Sequence, residues 1–211
     1  MFENRADAGR RLAEQLKPYH KENPLILALP RGGVPIGYEV AKALHAPLDV
    51  FVVRKVGSPW NPEYGIGAVA SGVLVLDKAS LQELGITPYE VQDIIEREQE
   101  ELNRRQRLYR ESEDFPTLTD KTVILVDDGV ATGVTIRVAI QAIKQLKPKK
   151  LILAVPVGAR ETVMLLRKQV DDLICLEMPS HFFAVGSHYI KFPQVSDEEV
   201  ITLLKQARDK Q

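Results

Sequence analysis

The chain alternates between short, uninterrupted apolar runs and longer segments of helical periodicity. The runs at 25–29, 48–53, 122–126, 151–155 and 172–176 are Leu-rich or β-branched. Runs of this length and continuity fit strands covered on both faces, as in a buried parallel sheet. Segments 35–44, 135–146 and 160–169 carry apolar residues at helical spacing and read as crossover helices. This order predicts an α/β fold, a doubly wound, mainly parallel sheet of about five strands flanked by helices. Ligands of such sheets bind at the carboxyl ends of strands, so the strand-to-loop junctions are the places to search.

The alternation is interrupted between the second and third runs. Residues 65–70 and 72–76 are apolar stretches meeting at Ser71-Gly72, a hairpin signal. Residues 56–76 therefore read as a lid loop with a hairpin, and 78–113 as a helical insertion. A charged helix is expected over 87–113, with Pro88 near its start. Glu100 with Arg104, and Glu101 with Arg105, have the i,i+4 spacing that supports an exposed helix. Arg104, Arg105, Arg107 and Arg110 fit either a solvated face or a cover over a site or partner. Residues 179–211 read as a small C-terminal hood and a final helix, with Ser196 and Glu199 spaced as a capping box. The whole of 1–211 is expected to form a single domain.

Composition narrows the classes. The 211 residues are 45% hydrophobic and 27% charged, as in an ordinary globular protein. A net charge of −1 and the lack of a long Lys/Arg block argue against a nucleic-acid partner. No apolar stretch approaches the ~18 residues that span a bilayer, so no membrane association is expected. The charged N-terminal segment lacks a secretion-type apolar run, and a cytoplasmic location is expected. The one cysteine, Cys175, lies in an apolar run and is expected to be a buried structural thiol.

Three junctions carry chemistry. In the first, Val123–Val126 runs into Asp127 and Asp128, then a small-residue loop of Gly129, Val130, Ala131, Thr132, Gly133, Val134 and Thr135 ahead of a helix. The acids can accept hydrogen bonds from vicinal hydroxyls, while backbone N–H groups and Thr side chains hold a phosphate. Together they suit a sugar phosphate. Paired Asp at a strand end also occurs in receiver-type signalling domains, but there the strand opens its domain, whereas this one begins at residue 122. The second junction is Arg31-Gly32-Gly33, where glycines permit close backbone approach to an anion and Arg31 supplies a forked cation. In the third, Arg54 and Lys55 enter a Pro/Gly/Ser loop of the kind that can act as a lid.

Over about residues 24–180 these segments resemble the type I phosphoribosyltransferases, which transfer ribose 5-phosphate from phosphoribosyl pyrophosphate (PRPP) to an amine or nucleobase. Val123 to Thr135 looks like the PRPP signature of that family. Arg31-Gly32-Gly33 looks like its pyrophosphate loop, which often contains a non-proline cis peptide. The resemblance implies ribose-5-phosphate binding by 127–135, and pyrophosphate binding by Arg31, Gly32, Gly33, Arg54 and Lys55. It implies catalytic parts for Asp127, Asp128, Lys55 and Glu63. Ala131, where hypoxanthine-guanine members usually carry Asp, resembles the adenine and xanthine branches. Glu63-Tyr64-Gly65 is similar to the lid of adenine enzymes, where the Glu is a candidate acid/base. Phe182-Phe183-Ala184-Val185-Gly186 resembles a stretch that stacks an aromatic on the base, with Phe183 as the ring; two hood phenylalanines without a ligand fit equally.

By the same resemblance, Mg2+ is expected as cofactor, held mainly by PRPP and water with no direct protein ligand. A nucleobase-like acceptor and a homodimer are also implied. The alternative is a PRPP-binding regulatory protein with little transferase turnover.

Overall fold

The central apolar runs pair as their continuity requires. In the computed structural model, which describes residues 1–62, 64–71, 73–110 and 115–209, every position of β1 (Leu25–Ala28) and β6 (Thr122–Val126) is buried. These two strands pair in parallel, with β2 (Leu48–Val50) beyond β1. On the other side β7 (Lys150–Val157) pairs with β6, and β8 (Asp172–Glu177) with β7, all parallel. The sheet order is β2-β1-β6-β7-β8. Parallel neighbours need crossover connections. Here α2 (Gly33–Leu44), α5 (Val134–Gln145) and α6 (Arg160–Arg167) lie on those connections.

The chain divides into two compact units. The first comprises Met1–Phe51, Leu118–Gly133 and Lys147–Gln211 and holds the parallel sheet. Its helix α1 (Arg5–Leu16) begins where the Asn4 side chain accepts from Asp7 N at 2.9 Å. Ala8, Leu12 and Leu16, one helical turn apart, form its buried stripe, and the helix packs on α2. Helix α7 (Asp197–Arg208) also packs on α2, and Ser196 caps it by accepting from Glu199 N at 3.1 Å. The sheet is thus flanked by helices, and its two central strands are buried throughout.

The second unit comprises Val52–Thr117 and Val134–Leu146. Strands β3 (Val53–Gly57), β4 (Gly65–Ala70) and β5 (Val73–Leu76) form an antiparallel sheet in that order. After α3 (Lys78–Glu83), the long α4 (Gln92–Tyr109) packs on β3 and β4, and α5 packs on all three strands.

Several expectations need correction. The apolar run at 48–53 is not one strand: β2 ends at Val50 and Val53 opens β3 in another sheet. The linking Phe51 and Val52 are both buried, so the apolar run continues while the strand does not. The hairpin of β4 and β5 gains a third strand because β3 pairs with β4. The helix expected over 87–113 starts as a 3-10 turn at Pro88–Val91, and 111–114 fall outside the described residues. It is not wholly exposed, since Ile95, Leu102 and Tyr109, seven residues apart, are buried against the second sheet. Glu101 accepts from both Arg104 and Arg105, at 2.7 and 2.8 Å. The complete capping box, with both reciprocal bonds, is at Thr87 and Glu90. Cys175 is half-buried because β8 is an edge strand; its thiol donates to Glu177 O, and burial pushes it up to about 11. Among the described residues, no helix is long and apolar enough to cross a membrane.

The buried β6 gives a direct stability test. Leu125, with no exposed surface at the middle of the sheet, loses its packing partners on truncation. Leu125→Ala should lower the unfolding free energy by about 2–5 kcal/mol, read from urea denaturation followed by circular dichroism.

Candidate active site

The end of β6 and the start of α2 meet within the first unit. Leu29 N donates to Val126 O at 2.9 Å, which aligns the two strand ends. The chain then turns through a cis Pro30–Arg31 peptide, the feature expected of the pyrophosphate loop, and Gly33 N returns to Leu29 O at 3.0 Å. Glycine is required here by space. A Cβ at Gly32 would lie 2.0 Å from Asp128 Oδ2, and one at Gly33 would lie 2.7 Å from Val126 O. Any larger side chain would displace the Asp128 carboxylate or the backbone of β6.

Asp127 and Asp128 occupy a desolvated position. Asp127 Oδ1 accepts from Asp128 N at 2.9 Å. Arg5 Nε donates to Asp128 Oδ2 at 2.8 Å, and the two side chains are only 10% and 15% exposed. The Arg5 guanidinium also donates to Pro193 O at 2.7 Å and lies 3.7 Å from the Phe192 ring centroid. Tyr189 donates its hydroxyl to Asp128 O at 2.6 Å. Burial, and then the neighbouring Asp128 charge, push the Asp127 carboxyl well above the usual carboxylate range. Burial also raises Asp128, with Arg5 opposing that rise. Both carboxyls are thus harder to ionise than free ones, Asp127 more so because Arg5 bonds directly to Asp128.

The loop after the carboxylates is held at its middle. Val130 N donates to Val157 O and Val130 O accepts from Ala159 N, both at 2.9 Å. Thr162 donates to Ala131 O at 2.7 Å. The N–H groups of Ala131, Thr132 and Gly133 meet no acceptor among the described residues, and Gly133 takes a left-handed φ of 71°. Val185 covers the start of the loop, for a Cβ at Gly129 would lie 2.6 Å from Val185 Cγ1. The arrangement offers an anion seat at 131–133 beside two hydroxyl-accepting carboxylates.

The family model described as "Phosphoribosyl transferase domain" matches residues 2–191. The chain belongs to that family. Two proteins named provisionally as phosphoribosyl transferases, from two strains of Mycobacterium tuberculosis, are each 42% identical over 209 residues. The match covers 98% of this chain and 47% of theirs, so the chain spans about half the length of these curated relatives. A crystal structure of a Thermus thermophilus protein is 39% identical, covers 98% of each chain and has a TM-score of 0.89. A Neisseria gonorrhoeae structure at 12% identity, covering 99% of each chain with a TM-score of 0.51, shares the fold alone.

Within this phosphoribosyl transferase domain the expected site residues fall into distinct places. The first unit brings together Arg31, Gly32, Gly33, Asp127, Asp128 and the loop from Gly129 to Gly133. Arg31 approaches Asp197 at 3.9 Å, with both side chains partly exposed. Phe182 stacks on His188 at 5.3 Å, whereas Phe183 is 93% exposed and touches no other ring among the described residues. Val134, Thr135, Arg54 and Lys55 belong to the second unit. There Arg54 is paired with Glu98 of α4 at 2.7 Å. Glu63 lies outside the described residues. Arg5, Tyr189 and Phe192 escaped the sequence reading, since no local pattern marks a contact across 123 residues such as that of Arg5 with Asp128.

The raised Asp127 carboxyl sets a sign for stability against pH. Folding holds its proton to higher pH than the unfolded chain does, so stability is lost as pH climbs from the ordinary carboxylate value through the raised one. Below that window the penalty is absent. Asp127→Asn keeps the Oδ1 acceptor for Asp128 N and removes the titration. Its melting temperature should exceed the parent's at pH 9, with the gap closing toward pH 4, as read by differential scanning fluorimetry.

Proposed function

We propose that the chain catalyses phosphoribosyl transfer from PRPP to a nucleobase or related nitrogen heterocycle, releasing pyrophosphate. The observation that carries this reading is the contact of Gly32 with Asp128, which puts the Arg31-Gly32-Gly33 loop against the paired carboxylates. Family membership supports the donor. On this reading Asp127 and Asp128 accept hydrogen bonds from the ribose hydroxyls and complement the positive charge that grows on the ring as pyrophosphate departs. The N–H groups of Ala131, Thr132 and Gly133, with the Thr132 hydroxyl, receive the 5′-phosphate. Arg31 and the backbone at Gly32 and Gly33 receive pyrophosphate oxygens. Val185 and Tyr189, packed over Gly129 and Asp128, keep water from the ribose side. Phe183 offers an exposed ring on which a heterocycle can stack.

Two buried carboxylates short of compensating charge suit a cation nearby. Among the described residues no cluster of three or more His, Cys, Asp or Glu side chains could hold one. Mg2+ bound through the donor's oxygens and water would offset the charge on the departing pyrophosphate.

The test is incubation with PRPP, Mg2+ and a panel of nucleobases, with pyrophosphate release as readout. Release dependent on one base is expected. Asp128→Asn should lower kcat/KM on the order of a hundredfold while leaving the circular dichroism spectrum unchanged. Saturable PRPP binding with no release for any base would replace the transferase by a PRPP-responsive regulator.

A further inference from the structure

Arg5 is a cation with no place in the motifs that define the site, yet it is nearly withdrawn from water. Its side chain is 10% exposed and three different groups hold it: Asp128 Oδ2 at 2.8 Å, Pro193 O at 2.7 Å and the Phe192 ring at 3.7 Å. Burying a guanidinium is costly unless its donors are satisfied and its charge is met. Here the charge is met by one oxygen of one carboxylate. The other oxygen, Asp128 Oδ1, takes no donor from any other described residue and lies 3.2 Å from the Cβ position of Gly32. The backbone of the same residue is held as well, by Tyr189 through Asp128 O. Phe192 and Tyr189 lie ring to ring at 4.8 Å, so the guanidinium's platform and the backbone clamp are one packed unit.

We propose that Arg5 is a positioning residue for donor binding: it fixes the Asp128 carboxylate on Oδ2 and leaves Oδ1 aimed for a ribose hydroxyl. The inference rests on the transferase reading above. It assigns a part in the donor site to the first turn of α1, and to the Tyr189–Pro193 segment that braces it. A misplaced carboxylate loses the ribose contact, while the 31–33 loop, although packed against Asp128, keeps its own backbone bonds, Gly33 N to Leu29 O and Val34 N to Arg31 O. The two halves of the donor site should therefore separate experimentally.

The experiment measures PRPP and inorganic pyrophosphate binding by isothermal titration calorimetry, with Mg2+, in the full chain and in Arg5→Gln, Arg5→Lys and Phe192→Leu. Arg5→Gln should weaken PRPP ten- to a hundredfold, on the order expected for a misoriented group, and leave pyrophosphate binding within about twofold. Arg5→Lys keeps the charge without the fork and should recover only part of the loss. Phe192→Leu removes the platform and should fall between parent and Arg5→Gln, and it carries the test if Arg5→Gln does not fold. Equal losses for PRPP and pyrophosphate would mark a general structural role and overturn the proposal, as would unchanged PRPP binding in every variant. A parent chain that binds pyrophosphate but not PRPP would overturn the donor reading and this role with it.

Discussion

Two carboxylates on consecutive residues at the end of a buried strand cannot both be charged without help. That constraint organises the first unit. Help comes from Arg5, reaching across from α1 to Asp128, while burial raises both carboxyls, Asp127 the more strongly. The glycine at position 32 is set by the same pair, since Asp128 fills the space that any side chain there would need. Even the C-terminal segment is arranged around it, with Tyr189 on the Asp128 carbonyl and Pro193 on the far side of the guanidinium. Removing charge from water at this position is unfavourable in the free protein and useful where a ligand brings compensating charge.

Much of the fold was legible because parallel strands covered on both faces write themselves as unbroken apolar runs. β1, β6, β7 and β8 were found on that ground alone. The run at 48–53 misled for the same reason: Phe51 and Val52 are buried, and burial says nothing about which sheet a residue joins. Helix α1 went unread because Arg5, Asp7, Arg10, Arg11 and Glu14 dominate its composition and hide the stripe of Ala8, Leu12 and Leu16. Its signal was present, as helical spacing, but diluted.

The site divides along similar lines. Asp127, Asp128 and the loop after them are contiguous in the chain, so their place at a strand end was legible from residue types and spacing. Arg31-Gly32-Gly33 was legible as a pattern, but its contact with Asp128 was not, for that depends on β1 and β6 being neighbours. Arg5, Tyr189 and Phe192 left no trace in the sequence. Each acts through a long-range contact, and long-range contacts are written in topology rather than in spacing.

The bonds of Val130 have a consequence of another kind. With its N–H on Val157 and its carbonyl on Ala159, the middle of the 129–133 loop is stitched to the segment leaving β7. The distance between the carboxylates and the open N–H groups is thus ruled off against a neighbouring strand, as on a gauge, rather than by the loop's own stiffness. A loop of small residues can then be soft in composition and exact in dimension. Tolerance to insertion should be judged by where β7 ends, because the gauge and not the loop carries the measurement.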